Sequence, residues 1–128
     1  MPGYLLDTNV IIDALNGKRG RGALLKRLLL EGSVLGCCAV NIAEVYAGMR
    51  PQEEERTREF FRSLEYHDIT PAIARQGGLL KRDWRRKGLT LSVLDTLVAA
   101  VALEYNLTLL TDNVKHFPMP EIRLFPLP

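Results

Sequence analysis

Four acidic residues stand within strongly apolar sequence, in the segments "YLLDT", "NIAEVY", "VLDTLVAA" and "TLLTDN". They are Asp7, Glu44, Asp95 and Asp112. Burial of an unpaired carboxylate is costly, and carboxylates that face one pocket raise one another's pKa values. A divalent cation offsets both effects. A ligand set made only of oxygen atoms selects a hard ion, which predicts Mg²⁺, with Mn²⁺ as the alternative.

A carboxylate-held Mg²⁺ favours hydrolysis of a phosphodiester. One or two such ions activate a water molecule and stabilise the charge on the phosphate and the leaving oxygen. The sequence offers no comparable zinc site, because His67 and His116 lack ligand spacing. Cys37 and Cys38 are adjacent within an apolar run, which predicts two buried thiols. The residue types therefore point to a hard-metal site.

Each acid also has an ordinary structural interpretation. Glu44 and Asp95 lie three residues after Asn41 and Ser92, so each can be the second half of a capping box. Asp7 can cap the helix that follows it, and the fourth acid can be a turn residue. All four nevertheless stand at a strand end or a helix start, and this joint pattern favours one shared site.

The elements that must position these acids alternate between strand and helix patterns. Strands are predicted at residues 4–7, 33–39, 66–70 and 107–111, with a short fifth strand at 122–125. Helices are predicted at residues 9–15, 23–30, 71–87 and 92–105, after Asn41, and from Pro51. This alternation predicts an α/β fold with a mainly parallel sheet of four to five strands. Ligand sites of such sheets lie beyond the carboxyl ends of the strands, where the acids would converge.

Composition and charge are those of an ordinary globular protein. The 128 residues are 47% apolar and 25% charged, which excludes a disordered chain, and we expect one domain over residues 1–128. The net charge of +2 favours polyanionic partners only mildly. The sequence shows neither a signal-peptide pattern nor an apolar run of about 20 residues. We therefore expect a cytoplasmic protein that does not enter a membrane.

The segments "LLDTNVIID", "NIAEVYAG", "LDTLVAAVA" and "LLTDNVKHF" together resemble the signature segments of the PIN domain, in particular of the VapC-type toxins. They occur in order over residues 5–117. The resemblance implies a three-layer α/β/α fold, Mg²⁺-dependent endoribonuclease activity, a homodimer and an antitoxin partner that keeps the toxin inactive. By position, Asp7, Glu44 and Asp95 match the first three acidic residues of the family. The resemblance implies that Asp7 and Asp95 hold Mg²⁺ directly.

The fourth family segment reads Thr, any residue, Asp or Asn, and later Phe. Here these positions hold Thr111, Asp112, Asn113 and Phe117. Strict alignment places Asn113 on the fourth acidic position and Asp112 one residue early, so either side chain is a candidate for facing the ion. Thr8 and Thr111 resemble the family's hydroxyl residues, which orient a carboxylate or a water molecule.

Three further segments offer surfaces to partners. Residues 81–88, "KRDWRRKG", and the predicted flexible connector at residues 18–22, "KRGRG", can follow an RNA backbone together with Lys115. The ordinary interpretation of residues 81–88 is a solvated helix face with Trp84 packed inward. Residues 23–30 carry a leucine face that suits either the core or an antitoxin or dimer contact. That face consists of Leu24, Leu25, Leu28, Leu29 and Leu30.

Two other functions remain open from the sequence. The first is a catalytically weak or silent module of the same fold that acts through protein or RNA contacts, which the imperfect fourth segment favours. The second is a phosphoryl-transfer domain in which Asp7 is the nucleophile. Against the second, the position two residues after Asp7, where a further aspartate is expected, holds Asn9.

Overall fold

The computed structural model describes residues 3–128, which contain a four-stranded parallel sheet. Its strands are β1 (Gly3–Leu6), β2 (Val34–Cys38), β3 (Glu65–His67) and β4 (Thr108–Leu110), in the order β3-β2-β1-β4. The pairing of β1 with β4 places Leu6 beside Leu110. This register brings the residues that follow the two strands side by side at the carboxyl edge of the sheet.

Six helices and two 3₁₀ turns lie between and after the strands of the described chain. The helices are α1 (Thr8–Leu15), α2 (Arg21–Leu30), α3 (Ala39–Ala47), α4 (Glu54–Arg62), α5 (Pro71–Arg86) and α6 (Val93–Glu104). The 3₁₀ turns are Pro51–Glu53 and Val114–His116. Among residues 3–128, no helix has both the length and the apolar character that crossing a bilayer requires.

Alternate residues of the central strands face opposite sides of the sheet and build two cores. Leu5 and Leu109 belong to one core, which α5 and α6 complete. Leu6 and Leu110 belong to the other, which α1 and α2 complete together with Val45 of α3. Helices therefore cover both faces of the parallel sheet. This arrangement confirms the predicted three-layer α/β/α fold.

The predicted fifth strand forms only one parallel bridge, between Leu109 and Leu124. Two hydrogen bonds support it: the Leu109 N–H donates to the Arg123 carbonyl at 2.8 Å, and the Phe125 N–H donates to the Leu109 carbonyl at 2.9 Å. The described residues after Phe125 form no further bridge to β4.

Helix α3 begins earlier than predicted, at Ala39. Asn41 is therefore not the N-cap but the third helical residue, and Cys38 occupies the cap position. The Asn41 side chain still closes the helix end, because its Oδ1 accepts a hydrogen bond from the Cys38 N–H at 2.9 Å. The alternative in which Glu44 forms a capping box with Asn41 is wrong, and Glu44 is available for a longer-range contact.

Helices α5 and α6 approach each other closely at Gly77, where a Cβ atom would lie 2.9 Å from Leu97 Cδ2 and 3.2 Å from Leu97 Cα. We predict that Gly77→Val lowers the free energy of unfolding by about 1–3 kcal/mol through overpacking. Gly78 is the matched control, because a Cβ there meets nothing within 4 Å. Gly78→Ala should raise the free energy of unfolding by roughly 0.5–1 kcal/mol. Urea unfolding measures both, and equal effects would contradict the close approach.

Candidate metal centre

Asp7 lies at the carboxyl end of the central strand and caps α1. Its Oδ1 accepts a hydrogen bond from the Thr8 N–H at 2.9 Å, and its Oδ2 accepts one from the Thr111 hydroxyl at 2.6 Å. The residue is only 5% exposed. Thr111 directly follows β4, so the strand register explains why its hydroxyl reaches Asp7. The structure therefore confirms the local cap that the sequence offered for Asp7, and the same carboxylate also contacts Thr111 at the end of the neighbouring strand.

Glu44 lies on α3 and is connected to Asp7 through Thr8. The Thr8 hydroxyl donates to Glu44 Oε1 at 2.6 Å and accepts a hydrogen bond from Asn41 Nδ2 at 3.3 Å. Asn41 is itself fully buried and bonded to the Cys38 N–H. A polar chain thus runs from the end of β2 to Glu44 and fixes the rotamer of Thr8. This geometry agrees with the orienting role that the resemblance implies for Thr8.

Asp95 stands in the first turn of α6, after the predicted N-cap Ser92. The structure confirms that cap, because the Ser92 hydroxyl accepts hydrogen bonds from the N–H groups of Leu94 and Asp95. The Asp95 carboxylate contacts His116 and not the Ser92 cap: its Oδ2 lies 3.1 Å from His116 Nδ1. His116 was considered in the sequence only as a zinc ligand. Its position in the turn just after Thr111 was the available signal that it belongs to the site.

The electrostatics show that three of the predicted acids share one environment. Burial raises the pKa of Asp7, and the nearby Glu44 carboxylate raises it further, while hydrogen bonds and His116 lower it. Burial likewise raises the pKa of Asp95, which His116 lowers and which the carboxylates of Asp7 and Glu44 raise. The Glu44 carboxylate therefore acts in the same direction on the pKa values of both Asp7 and Asp95.

The structure places Asp112 differently from the other three acids. Its Oδ1 lies 2.6 Å from Arg21 Nη2 and 3.3 Å from Arg19 Nη1, so the carboxylate is already paired. Asn113 has an exposed side chain, and its backbone N–H donates to the Thr111 hydroxyl at 3.0 Å. Asp7, Glu44 and Asp95 lie at the same edge of the sheet without forming a closed cage, and the fourth segment contributes Thr111.

The donor set suits a partly hydrated hard cation. Within residues 3–128, no three His, Cys, Asp or Glu side chains stand close enough to form a ready cage for a metal. Glu44 Oε2 and Asp95 Oδ1 accept no hydrogen bond from the described residues. Mg²⁺ is usually held by one or two carboxylates and keeps several waters, so an open set of this kind fits it. Asp7, Glu44 and Asp95 are the residues that would hold it.

Other sequence features have simpler places in the fold. Cys37 and Cys38 are buried free thiols, as predicted, and burial raises the pKa of Cys37 to about 11. Leu24, Leu25 and Leu28 pack in the core. The remaining leucines of that face are exposed, Leu29 by 47% and Leu30 by 82%. The leucine face of α2 is therefore mainly core, with an exposed apolar end.

Comparison with known proteins places the chain among its relatives. A family model of the PIN domain matches residues 4–118. Ribonuclease VapC19 of Mycobacterium tuberculosis strain H37Rv is 35% identical over 115 residues, covering 90% of this chain and 92% of that protein. Ribonuclease VapC10 of the same strain is 34% identical over 117 residues, covering 91% of this chain and 87% of that protein.

Solved structures share the fold over nearly the whole chain. VapBC2 from Rickettsia felis, bound to a DNA fragment from its promoter, superposes with a TM-score of 0.81 at 25% identity, covering 96% of this chain and 97% of that one. VapBC-1 from nontypeable Haemophilus influenzae also gives 0.81, at 21% identity, covering 98% of each chain. With the family model matched over residues 4–118 and relatives above 30% identity, the chain belongs to the PIN domain family.

Proposed function

We propose that this chain is a Mg²⁺-dependent endoribonuclease and the toxin of a type II toxin–antitoxin pair, acting in the cytoplasm. The observation that carries the proposal is the position of Asp7, Glu44 and Asp95 at the carboxyl edge of the sheet, where Thr8 links Asp7 to Glu44 and the Glu44 carboxylate raises the pKa values of Asp7 and Asp95. The names of the relatives, which are ribonucleases, support the RNA substrate. The solved VapBC2 neighbour, at 25% identity, supports an antitoxin partner.

The proposed role of each side chain follows from its contacts. Asp7, Glu44 and Asp95 would hold Mg²⁺, which when bound supplies an activated water and stabilises charge on the phosphate. The hydroxyls of Thr8 and Thr111 hold the carboxylates of Glu44 and Asp7 in fixed rotamers. Positioning of this kind reduces the reorganisation that the reaction needs.

RNA cleavage with and without metal tests the proposal against a silent module of the same fold. The purified chain, freed of antitoxin, should cleave RNA in Mg²⁺ or Mn²⁺ and should not cleave it in EDTA. Restoring excess Mg²⁺ to the EDTA sample should restore cleavage, because the metal supplies the activated water. A folded chain that binds RNA and leaves it intact at every metal concentration would favour the silent module.

The end of α5 is the surface that we propose for the RNA backbone. Lys81 Nζ donates to the Leu91 carbonyl, which ties this end to the loop before Asp95. Arg85 and Arg86 are exposed there and have no acidic partner among the described residues. Their positive charge therefore remains available for phosphates close to the start of α6.

We predict that Arg85→Ala/Arg86→Ala weakens RNA binding and raises KM more than it lowers kcat. Two lost phosphate contacts should reduce the slope of log K against log salt by roughly 1.4 for single-stranded RNA. Arg75→Ala is the control on the same helix, because Arg75 is exposed and lies near its opposite end. Fluorescence anisotropy across a salt series measures the slope. A loss of equal size in Arg75→Ala would contradict a localised RNA surface.

An apolar cleft next to the acids is the surface that we propose for the antitoxin. It lies between α1, α3 and the turn Pro51–Glu53, and its lining includes Ile12, Leu15, Val45 and Met49. Val45 directly follows Glu44, so the cleft is lined by the helix that also carries Glu44. We also propose that the chain forms a homodimer, and its membership of the PIN domain family supports this proposal.

A further inference from the structure

We propose that Asp112 is a positioning residue and not a metal ligand, and that Arg21 acts through it to fix the segment that borders the metal centre. The inference rests on the proposed function, since it concerns which side chains face the ion. It assigns a role to the basic segment 18–22, which the sequence analysis treated as a flexible connector.

The Arg21 side chain is buried, unlike a cation on a flexible, solvated connector. It is the first residue of α2 and only 2% exposed, and Gly20 before it has a φ of 66°, a conformation that glycine adopts without strain. Its Nη2 donates to Asp112 Oδ1 at 2.6 Å. The guanidinium also lies 3.4 Å from the carbonyl oxygens of Arg19 and Pro128. The backbone conformation at Gly20 thus directs Arg21 inward.

Both oxygens of Asp112 are unavailable to a solvent-facing ion. Oδ1 is shared by Arg21 and Arg19, at 2.6 and 3.3 Å. Oδ2 is buried and has no hydrogen-bond partner within residues 3–128, and the same is true of Arg21 Nε. Coordination through Oδ1 would break the pair and leave the guanidinium buried without its partner, and coordination through Oδ2 would require the buried carboxylate to rotate toward solvent.

The segment that Asp112 anchors carries both contacts to the other acids. Thr111 precedes it and donates to Asp7, and His116 follows it and contacts Asp95. Within the segment, the Asn113 N–H donates to the Thr111 hydroxyl, and the His116 N–H donates to the Asn113 carbonyl at 2.9 Å. The ion pair therefore links α2 to the orientation of two proposed ligands, although neither charge of the pair faces the ion.

Mn²⁺ binding to the purified full chain separates the two roles. The double variant Arg21→Met/Asp112→Leu removes one charge of each sign, so the net charge does not change. Its Mn²⁺ Kd by electron paramagnetic resonance should stay within about threefold of the parent, whereas Asp95→Asn should weaken binding by about tenfold or more. Arg82→Met/Asp83→Leu, which removes an exposed ion pair on α5, is the matched control and should leave the Kd unchanged.

The outcomes distinguish failure of the inference from failure of the proposed function. Parent protein that binds no Mn²⁺ would reject the proposed metal centre itself. If the parent binds Mn²⁺, and the folded double variant binds it as weakly as Asp95→Asn does, Asp112 is a ligand. If the double variant does not fold, Asp112→Asn replaces it, because its amide oxygen can still accept from Arg21. Its Kd should likewise stay close to that of the parent.

A positioning role also predicts a kinetic signature. Arg21→Met/Asp112→Leu should lower kcat roughly tenfold or more with KM nearly unchanged, because Thr111 and His116 lose their fixed placement. Arg21→Lys retains the charge and should recover part of kcat. A double variant with a lower melting temperature and an unchanged kcat per folded molecule would overturn the positioning role, because the pair would then serve stability alone.

Discussion

The Asp7→Asn variant is expected to lose Mg²⁺-dependent RNA cleavage while it remains folded. Asp7 is buried at the end of β1, and Thr8 and Thr111 already fix both of its oxygens. An amide of the same shape is a weaker, neutral ligand. Loss of about 4 kcal/mol of charge stabilisation in the transition state corresponds to about a thousandfold in kcat. Single-turnover cleavage of labelled RNA at saturating Mg²⁺ measures this loss.

The control for this variant is Glu31→Gln, which removes one exposed carboxylate at the end of α2, outside the proposed RNA surface; among the described residues it pairs only with Arg27. Its cleavage rate should equal that of the parent. The urea concentration at the midpoint of unfolding should be at least as high for Asp7→Asn as for the metal-free parent, because the amide avoids the cost of burying a charge. Cleavage by Asp7→Asn at the parental rate would reject the proposed mechanism, since no other described side chain replaces Asp7 at the centre of the cluster.

Asp7 and Asp95 could be predicted because their positions follow from short local patterns. Asp7 comes directly after an apolar strand, and Asp95 follows Ser92, which the structure confirms as the N-cap of α6. The parallel alternation of strands and helices then places both at the same edge of the sheet. Fold class and the approximate location of the site therefore depend on features that periodicity and capping residues reveal.

The contacts that organise the site could not be predicted, because they join residues far apart in sequence. Thr8 and Glu44 are 36 residues apart, and Arg21 and Asp112 are 91 residues apart. A buried arginine within "KRGRG" has the same local pattern as a solvated one, and only the tertiary fold distinguishes them. His116 was missed as a partner of Asp95 for the same reason.

Removal of divalent cations is expected to make the folded state less stable as the pH rises toward neutrality. Burial is the main cause that raises the pKa values of Asp7 and Asp95 above the ordinary value of 3.8. Between 3.8 and the folded-state pKa values, the folded state binds more protons than the unfolded state. This contribution to stability is complete below 3.8 and is lost as the pH rises through the folded-state values. Urea unfolding in EDTA across a pH series measures it.

Mg²⁺ is expected to reverse this pH dependence, because the ion replaces the protons that otherwise neutralise the cluster. At a hundredfold excess over Kd it should add about 2.7 kcal/mol to the free energy of unfolding near neutral pH. At low pH the gain should vanish, since protons compete with the ion for the carboxylates. Asp7→Asn should show both a flatter pH dependence in EDTA and a smaller gain from Mg²⁺. An equal gain in parent and variant would mean that the ion binds elsewhere, because a cluster without Asp7 has fewer charges for it to neutralise.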